Sequence, residues 1–149
     1  MGTKYKGNKE EISALDTAIK LARATETLIA KTSLNLSIHN VTVSQFGILD
    51  AVYHLGPLTQ KSLGEKILKS GGNITHVVDN LEKRALVKRY RGKNDRRNFE
   101  IHLTKKGEKL IAKILPGYVK VIKDELGILN QEESETLQRL CKKIGKRES

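Results

Sequence analysis

The sequence predicts a mainly α-helical protein with one small β-hairpin. Over most of the 149 residues, apolar side chains recur at steps of three and four, which is the period of an α-helix. One segment, 99–103, instead alternates apolar Phe99, Ile101 and Leu103 with polar residues, which is typical of a strand with one buried face. The chain therefore combines a helical framework with a local hairpin.

The first predicted helix runs from about residue 10 to residue 36. Its apolar residues Ile12, Leu15 and Ile19 form one narrow stripe, and neither Gly nor Pro interrupts it. A long helix with so narrow a stripe is expected to pack against another extended element.

Three short helices are predicted next. Thr42 and Gln45 form a capping-box pattern at the start of the first, and Thr59 can cap the second. A turn is predicted at Ser70–Gly72, and the third helix should span about 72–84. This close succession is typical of a helix-turn-helix.

A hairpin and two further helices complete the prediction. Strands at 87–91 and 99–103 flank a loop at 92–95, and a long helix opens at Thr104. The last helix should run over about 131–144, with Leu137, Leu140 and Ile144 facing inward. A hairpin directly after a helix-turn-helix defines a winged helix-turn-helix, here with a helical dimerisation region on both sides.

The third short helix carries a polar stripe opposite its apolar face. A second helix of this kind enters the DNA major groove, where Asn reads adenine and backbone N–H groups at the helix start can bind phosphate. The polar stripe alone does not distinguish a DNA-binding face from an ordinary solvent-exposed face. The candidate DNA-binding residues here are Ser70, Gly72, Asn73, Thr75, His76, Asn80 and Lys83.

The hairpin concentrates positive charge. Six cations lie within ten residues: Lys88, Arg89, Arg91, Lys93, Arg96 and Arg97. Such a cluster repels itself and becomes favourable opposite a phosphate backbone. Asp95 is interpreted as holding an arginine in place. The candidate DNA-binding residues of the hairpin are Arg91, Lys93, Asp95, Arg96 and Arg97.

Composition supports a nucleic-acid partner. Lys and Arg number 28 against 17 Asp and Glu, a formal charge of +11. No apolar run could span a membrane, and the first eleven residues lack a signal-peptide core, so a cytoplasmic location is expected. The four histidines lack metal-ligand spacing, and no catalytic motif is present, so neither a metal, a cofactor nor an enzyme is predicted.

Three segments resemble the MarR family of bacterial regulators. They are the stretch from Ser70 through Val87, the wing sequence Asn94-Asp95-Arg96-Arg97, and Leu103-Thr104-Lys-Lys-Gly107. The resemblance covers nearly the whole chain. It implies a homodimer that binds a pseudo-palindromic DNA duplex as a repressor. It also implies release by a small phenolic or other aromatic effector, or by thiol oxidation.

The resemblance also implies roles for single residues. Arg97 matches the family's minor-groove arginine, and Asp95 matches the acid that pairs with it. Many members have Gly where this chain has Ala85, and a left-handed Ala costs about 1 kcal/mol. Relatives that sense oxidation carry their cysteine near the N-terminus, where this chain has none, so a redox role for Cys141 is left open.

The predicted organisation is an N-terminal dimerisation helix at 1–38, a winged helix-turn-helix at 39–104 and C-terminal dimerisation helices at 105–149. A monomer would expose too much apolar surface on the terminal helices. The predicted dimerisation residues are Ile12, Leu15, Ile19, Leu137 and Leu140. Two alternatives remain: a basic architectural DNA-binding protein without an effector, and a protein-interaction module.

Overall fold

The computed structural model describes residues 3–67 and 71–145. The elements in this part of the chain are α1 (Lys9–Ser37), α2 (Val43–Leu55), β1 (Leu58–Thr59), α3 (Gln60–Ile67), α4 (Gly71–Lys83), β2 (Val87–Arg91), β3 (Phe99–Leu103), α5 (Lys105–Leu126) and α6 (Gln131–Gly145). Their order confirms the predicted fold class. We call the segment from α2 to β3 the winged unit.

Side chains that satisfy free backbone N–H groups mark where several helices begin. At α2, the Thr42 hydroxyl accepts from the Gln45 N–H at 3.1 Å, and the Gln45 side chain accepts from the Thr42 N–H, which confirms the predicted capping box. Asn8 and Glu11 form a second capping box at α1, which the sequence analysis missed. Thr59, as predicted, accepts from the Ser62 N–H at 3.1 Å.

The turn predicted at Ser70–Gly72 is wrong for Gly71, because α4 begins at Gly71, whereas Gly72 lies in the helix as its predicted start implied. Ser70 lies outside the described residues. Glycine disfavours helix only weakly, and tertiary packing overrides it. Ile74 and Val78 of the same helix are fully buried and fix its position.

The hairpin belongs to a three-stranded antiparallel sheet with strand order β1-β3-β2. The short strand β1 pairs Leu58 with Ile101, and β2 pairs Arg89 with Ile101 from the other side. Strand β1 has no signal in the sequence, because two residues are too few to show a period of two. Because β1 is added beside the hairpin, β3 lies in the centre of the sheet.

A single apolar core lies beneath the sheet. It gathers residues from α1, α2, α3, α4, the sheet and α5. The fully buried members include Leu36, Ile48, Leu49, Leu63, Ile74, Leu81, Ile101, Ile111 and Ile114. Helices α1 and α5 thus contribute directly to the core of the winged unit.

Ala85 adopts the left-handed conformation that the sequence analysis considered, with φ of 57°. Around it the Leu86 N–H donates to Leu81 O at 3.0 Å, and the Ala85 N–H donates to Glu82 O at 2.9 Å. This pair of hydrogen bonds is a Schellman motif, which normally places glycine at this position. The chain therefore accepts backbone strain to turn from α4 into the hairpin.

Helix α5 begins against this same turn. The Thr104 hydroxyl donates to Ala85 O at 2.6 Å and accepts from the Gly107 N–H at 3.0 Å. A Cβ atom at Gly107 would lie only 2.1 Å from Leu86 O. The Leu-Thr-x-x-Gly sequence is thus explained by a cap and by a backbone contact that excludes any side chain.

The terminal helices are covered less completely. Among the residues described in α6, none is buried, and Leu137, Leu140 and Ile144 are 41%, 42% and 57% exposed. Within a single chain these three side chains are only partly covered by α1, so they do not face a closed core as expected. No helix in the described ranges is long and apolar enough to cross a membrane.

Candidate DNA-binding surface

Helix α4 presents the predicted polar stripe on the side opposite the core. His76 and Lys83 are exposed, and Asn80 is half-buried. The Asn80 Nδ2 atom lies 3.4 Å from His76 Nε2, so the two side chains are neighbours one turn apart. The spacing places three side chains with hydrogen-bonding groups along one line of the helix.

The other predicted contacts at this helix differ in their surroundings. Asn73 and Thr75 are exposed in the first turns of α4, and the Thr75 hydroxyl accepts from Gln60 Nε2 at 2.6 Å. This bond joins α3 to α4, so Thr75 contributes to the geometry of the helix pair. Gly72 lies in the first helical turn, where backbone N–H groups lack intrahelical acceptors.

The tip of the hairpin carries four cations that form no ion pair with the residues described here. Arg91, Lys93, Arg96 and Arg97 are all exposed. None of the ion pairs found among the described residues involves them. The Arg91 guanidinium lies 5.9 Å from the centre of the Phe99 ring, within reach of a cation–π interaction. This tip is a concentrated, solvent-facing positive charge.

The predicted pairing between Asp95 and the Arg97 side chain does not form in this structure. Asp95 Oδ1 instead accepts from the Arg97 backbone N–H at 3.0 Å. An Asp side chain commonly bonds to a backbone N–H two residues ahead, because this closes a tight Asx-turn. The Gly92 N–H also donates to Asn98 O at 2.8 Å, which closes the loop. Asp95 therefore shapes the loop that carries Arg97.

Arg89 belongs to the basic cluster of the hairpin in the sequence, and the structure places its side chain against α4. Its side chain is 19% exposed and pairs with Asp79 and Glu82 of α4. This pairing is not evident from the sequence, because Arg89 lies in a run of basic residues and its acidic partners lie on another element. A search for carboxylates one helical turn apart in α4 would have found them.

The predicted dimerisation residues fall into two groups. Ile12, Leu15 and Ile19 of α1 are half-buried, whereas Leu137 and Leu140 of α6 are exposed. An apolar groove of about 310 Å³ runs between α1 and the last two helices and includes Leu28, Leu129 and Leu137. Strong exposure extends to Leu34 and Ile38 at the end of α1, at 73% and 78%. The terminal helices together form a broad uncovered apolar surface.

Two further observations concern metal binding and thiol chemistry. The described residues contain no group of three or more His, Cys, Asp or Glu side chains placed to hold a metal ion. Cys141 is exposed on α6, where its thiol is free.

Comparison with known proteins places the chain in a family. The MarR family model matches residues 41–99, the segment that contains most of the winged unit. The transcriptional regulator MhqR of Bacillus subtilis is 32% identical over 127 residues, which cover 85% of this chain and 88% of MhqR. The chain belongs to the MarR family and is a DNA-binding transcriptional regulator.

Solved structures agree with this fold over nearly the whole chain. NadR in complex with 4-hydroxyphenylacetate matches with a TM-score of 0.80 at 26% identity, covering 99% of this chain and all of that one. A MarR mutant from Escherichia coli complexed with operator DNA matches with a TM-score of 0.79 at 22% identity, covering 93% and 99%. BpsR of Bordetella bronchiseptica matches with a TM-score of 0.81 at 21% identity, covering 88% and 94%.

Proposed function

We propose that this regulator acts as a homodimer in the cytoplasm, placing α4 of each subunit in the major groove of a pseudo-palindromic operator. The observation that carries the proposal is the polar stripe of α4 together with a wing tip whose cations form no ion pair among the described residues. The stripe has the hydrogen-bonding groups to distinguish base edges, and the tip has the charge to bind phosphates. The MarR structure with operator DNA supports this arrangement.

The wing and the helix should have different tasks. We assign base recognition to His76 and Asn80, and we assign phosphate contacts to Lys83, Arg91, Lys93 and Arg96. Arg97 is assigned to the narrow minor groove, where the negative potential is enhanced. Gly72 and Ser70 are assigned to a phosphate at the start of α4.

The dimer is proposed to form through the terminal helices, with segments 1–38 and 105–149 as dimerisation regions around the winged unit. Their exposed apolar residues would be covered by the same residues of a second copy. A two-fold axis then sets the two α4 helices about one turn of DNA apart.

A small aromatic or phenolic effector is proposed to control DNA binding. NadR was solved with 4-hydroxyphenylacetate, and DNA binding by BpsR is regulated by 6-hydroxynicotinic acid. In this chain Tyr118 of α5 packs its ring 4.2 Å from Phe46, and burial, followed by the charge of Asp50, raises the pKa of its phenol. A phenol is protonated at neutral pH even without this shift, so the Tyr118 hydroxyl can donate a hydrogen bond.

A second polar group lies next to Gly117, which precedes Tyr118 in the sequence. Asn35 Oδ1 is buried and has no hydrogen-bond partner among the described residues, although its side chain lies against Gly117. A buried acceptor without a partner is costly, and a ligand hydroxyl would satisfy it. We therefore place the effector near Asn35 and Tyr118, between the dimerisation helices and α2.

Selection from a library of random duplexes tests the DNA proposal. The full chain should enrich one pseudo-palindromic sequence, here called the selected duplex. His76→Ala and Asn80→Ala should each weaken binding to it by about 1–3 kcal/mol while leaving binding to random DNA nearly unchanged. Equal weakening on both duplexes would show that α4 does not read bases.

Salt dependence provides an independent check. Binding should weaken by orders of magnitude over a few-fold rise in salt, because the wings and helix ends displace several counterions. A flat salt profile would favour a protein-interaction module instead.

Hydroxylated benzoates and nicotinates should release the selected duplex, and failure of every such compound would favour an architectural protein without an effector.

A further inference from the structure

One arginine of the wing faces the helices, although its neighbours in the chain, Lys88 and Tyr90, are exposed. Arg89 lies on β2, where Val87 on the same face is buried, and it pairs in register with the fully buried Ile101. Its own side chain is 19% exposed. Arg89 is therefore held between the sheet and α4, away from the wing tip.

Four hydrogen bonds join Arg89 to α4. Its Nη2 atom lies 2.5 Å from Asp79 Oδ1 and 3.3 Å from the Thr75 carbonyl oxygen. Its Nη1 atom lies 3.4 Å from Glu82 Oε1, and its backbone N–H donates to Glu82 Oε2 at 3.0 Å. We call this group the Arg89 clamp. Because residues 75, 79 and 82 lie on one side of the helix, the clamp fastens about two turns of α4 to β2.

The clamp lies directly beside the base-reading stripe. Each of its helix residues immediately precedes a polar residue of the stripe, at 75 and 76, 79 and 80, and 82 and 83. Neighbouring residues of a helix differ by about 100° in direction. The bonds that hold the wing thus occupy the face of α4 adjacent to the one assigned to the major groove.

The clamp also explains two carboxylates that a DNA-binding surface would otherwise disfavour. Asp79 and Glu82 are 43% and 40% exposed, and uncompensated they would repel phosphate. Arg89 offsets part of this charge, so it adds little to the cations available for DNA. Partly exposed ion pairs contribute little to folding stability. Stability alone therefore does not explain why Arg89, Asp79 and Glu82 occur together here.

We propose that the Arg89 clamp fixes the position of the wing relative to α4, so that both elements engage the same duplex. Arg89, Asp79 and Glu82 are then positioning residues for operator recognition, with no contact to DNA of their own. The inference rests on the proposed function. Fixing the wing in advance lowers the ordering entropy that specific binding would otherwise cost.

The decisive variant is Asp79→Asn, because two mechanisms predict opposite signs. If net charge alone determined affinity, loss of an anion would tighten binding to every duplex. Positioning predicts that the dissociation constant for the selected duplex rises by about tenfold, a coupling common between contacting residues. The dissociation constant for a random duplex of equal length should change by less than about twofold, and the salt slope should stay the same.

Matched variants separate position from charge. Glu82→Gln should behave like Asp79→Asn, whereas Asp79→Glu keeps the carboxylate and should retain most of the discrimination. Glu65→Gln removes an exposed carboxylate from α3 and should tighten binding to every duplex, as net charge alone predicts. Arg89→Lys should also lose discrimination, since a single ammonium cannot reach both carboxylates and the carbonyl.

Amide hydrogen exchange of the full chain without DNA tests the same clamp directly. Asp79→Asn should raise exchange in the segment 87–103, while exchange in α5 and the melting temperature change little. Unchanged wing exchange, or equal or tighter binding of Asp79→Asn to the selected duplex, would overturn the inference. If the wild-type protein prefers no duplex, the proposed function fails, and wing exchange then decides whether the clamp holds the wing.

Discussion

The winged unit and the terminal helices cover their apolar residues in different ways. The buried core runs from Leu36 to Ile114, and every short helix of the winged unit contributes to it. By contrast, no described residue of α6 is buried, and large apolar side chains of α1 remain exposed. One region completes its core within a single chain, and we propose that a second copy covers the other. The two regions should therefore respond differently to substitution.

The largest effect is expected in the terminal helices. Replacing Leu137 and Leu140 together by Glu should raise the dimer dissociation constant by at least about a hundredfold, because each charge would be buried at the interface. Sedimentation measures the change. Gln138→Glu, on the same helix but off the stripe, is the matched control and should stay dimeric. A dimer that survives the double substitution would mean that α6 is not at the interface.

A single added methyl group should destabilise the winged unit. Gly107→Ala forces a Cβ atom against Leu86 O and should lower the free energy of unfolding by about 3 kcal/mol. Denaturant unfolding at one fixed protein concentration measures this loss. Gly145→Ala is the control, since a Cβ atom there meets no neighbour within 4 Å. Equal stability of the two variants would contradict the close backbone contact.

The wing tip is part of the winged unit but has no buried core, so substitutions there should change binding without changing stability. Arg97→Ala should raise the dissociation constant for the selected duplex by about tenfold. Asp95→Ala should raise it by about threefold through the lost loop hydrogen bond, even though the wing becomes more positive. Arg96→Ala is the control and should weaken selected and random duplexes alike. Tighter binding by Asp95→Ala would show that net charge alone matters.

The smallest change in stability is a gain at the turn after α4. Ala85→Gly should raise the free energy of unfolding by about 1 kcal/mol, because glycine adopts a positive φ without strain. Asn40 has the same left-handed conformation, with φ of 55°, and tolerates it better than Ala. Asn40→Gly should therefore change stability less. A loss of stability in Ala85→Gly would mean that chain entropy outweighs the strain.

The order of the elements could be predicted from the sequence because it depends on local information. Helical periods, the capping pair at Thr42 and Gln45, and the alternating strand at 99–103 are properties of neighbouring residues. The exposed stripe of α4 follows directly from its buried face, since a helix has a fixed period. The residues assigned to DNA contact remain a prediction that the proposed experiments test.

The tertiary structure alone decided which charges are available and which are engaged. Arg89 and Arg97 lie in the same basic run of the sequence, yet Arg89 binds two carboxylates of α4 while the Arg97 side chain has no acidic partner in the described chain. Similarly, strand β1 exists only because β3 offers it hydrogen bonds, and Gly107 is required only because Leu86 approaches it. These features arise between residues distant in sequence, so a local pattern can mark a candidate partner, such as the carboxylates of α4, but does not show which residues meet.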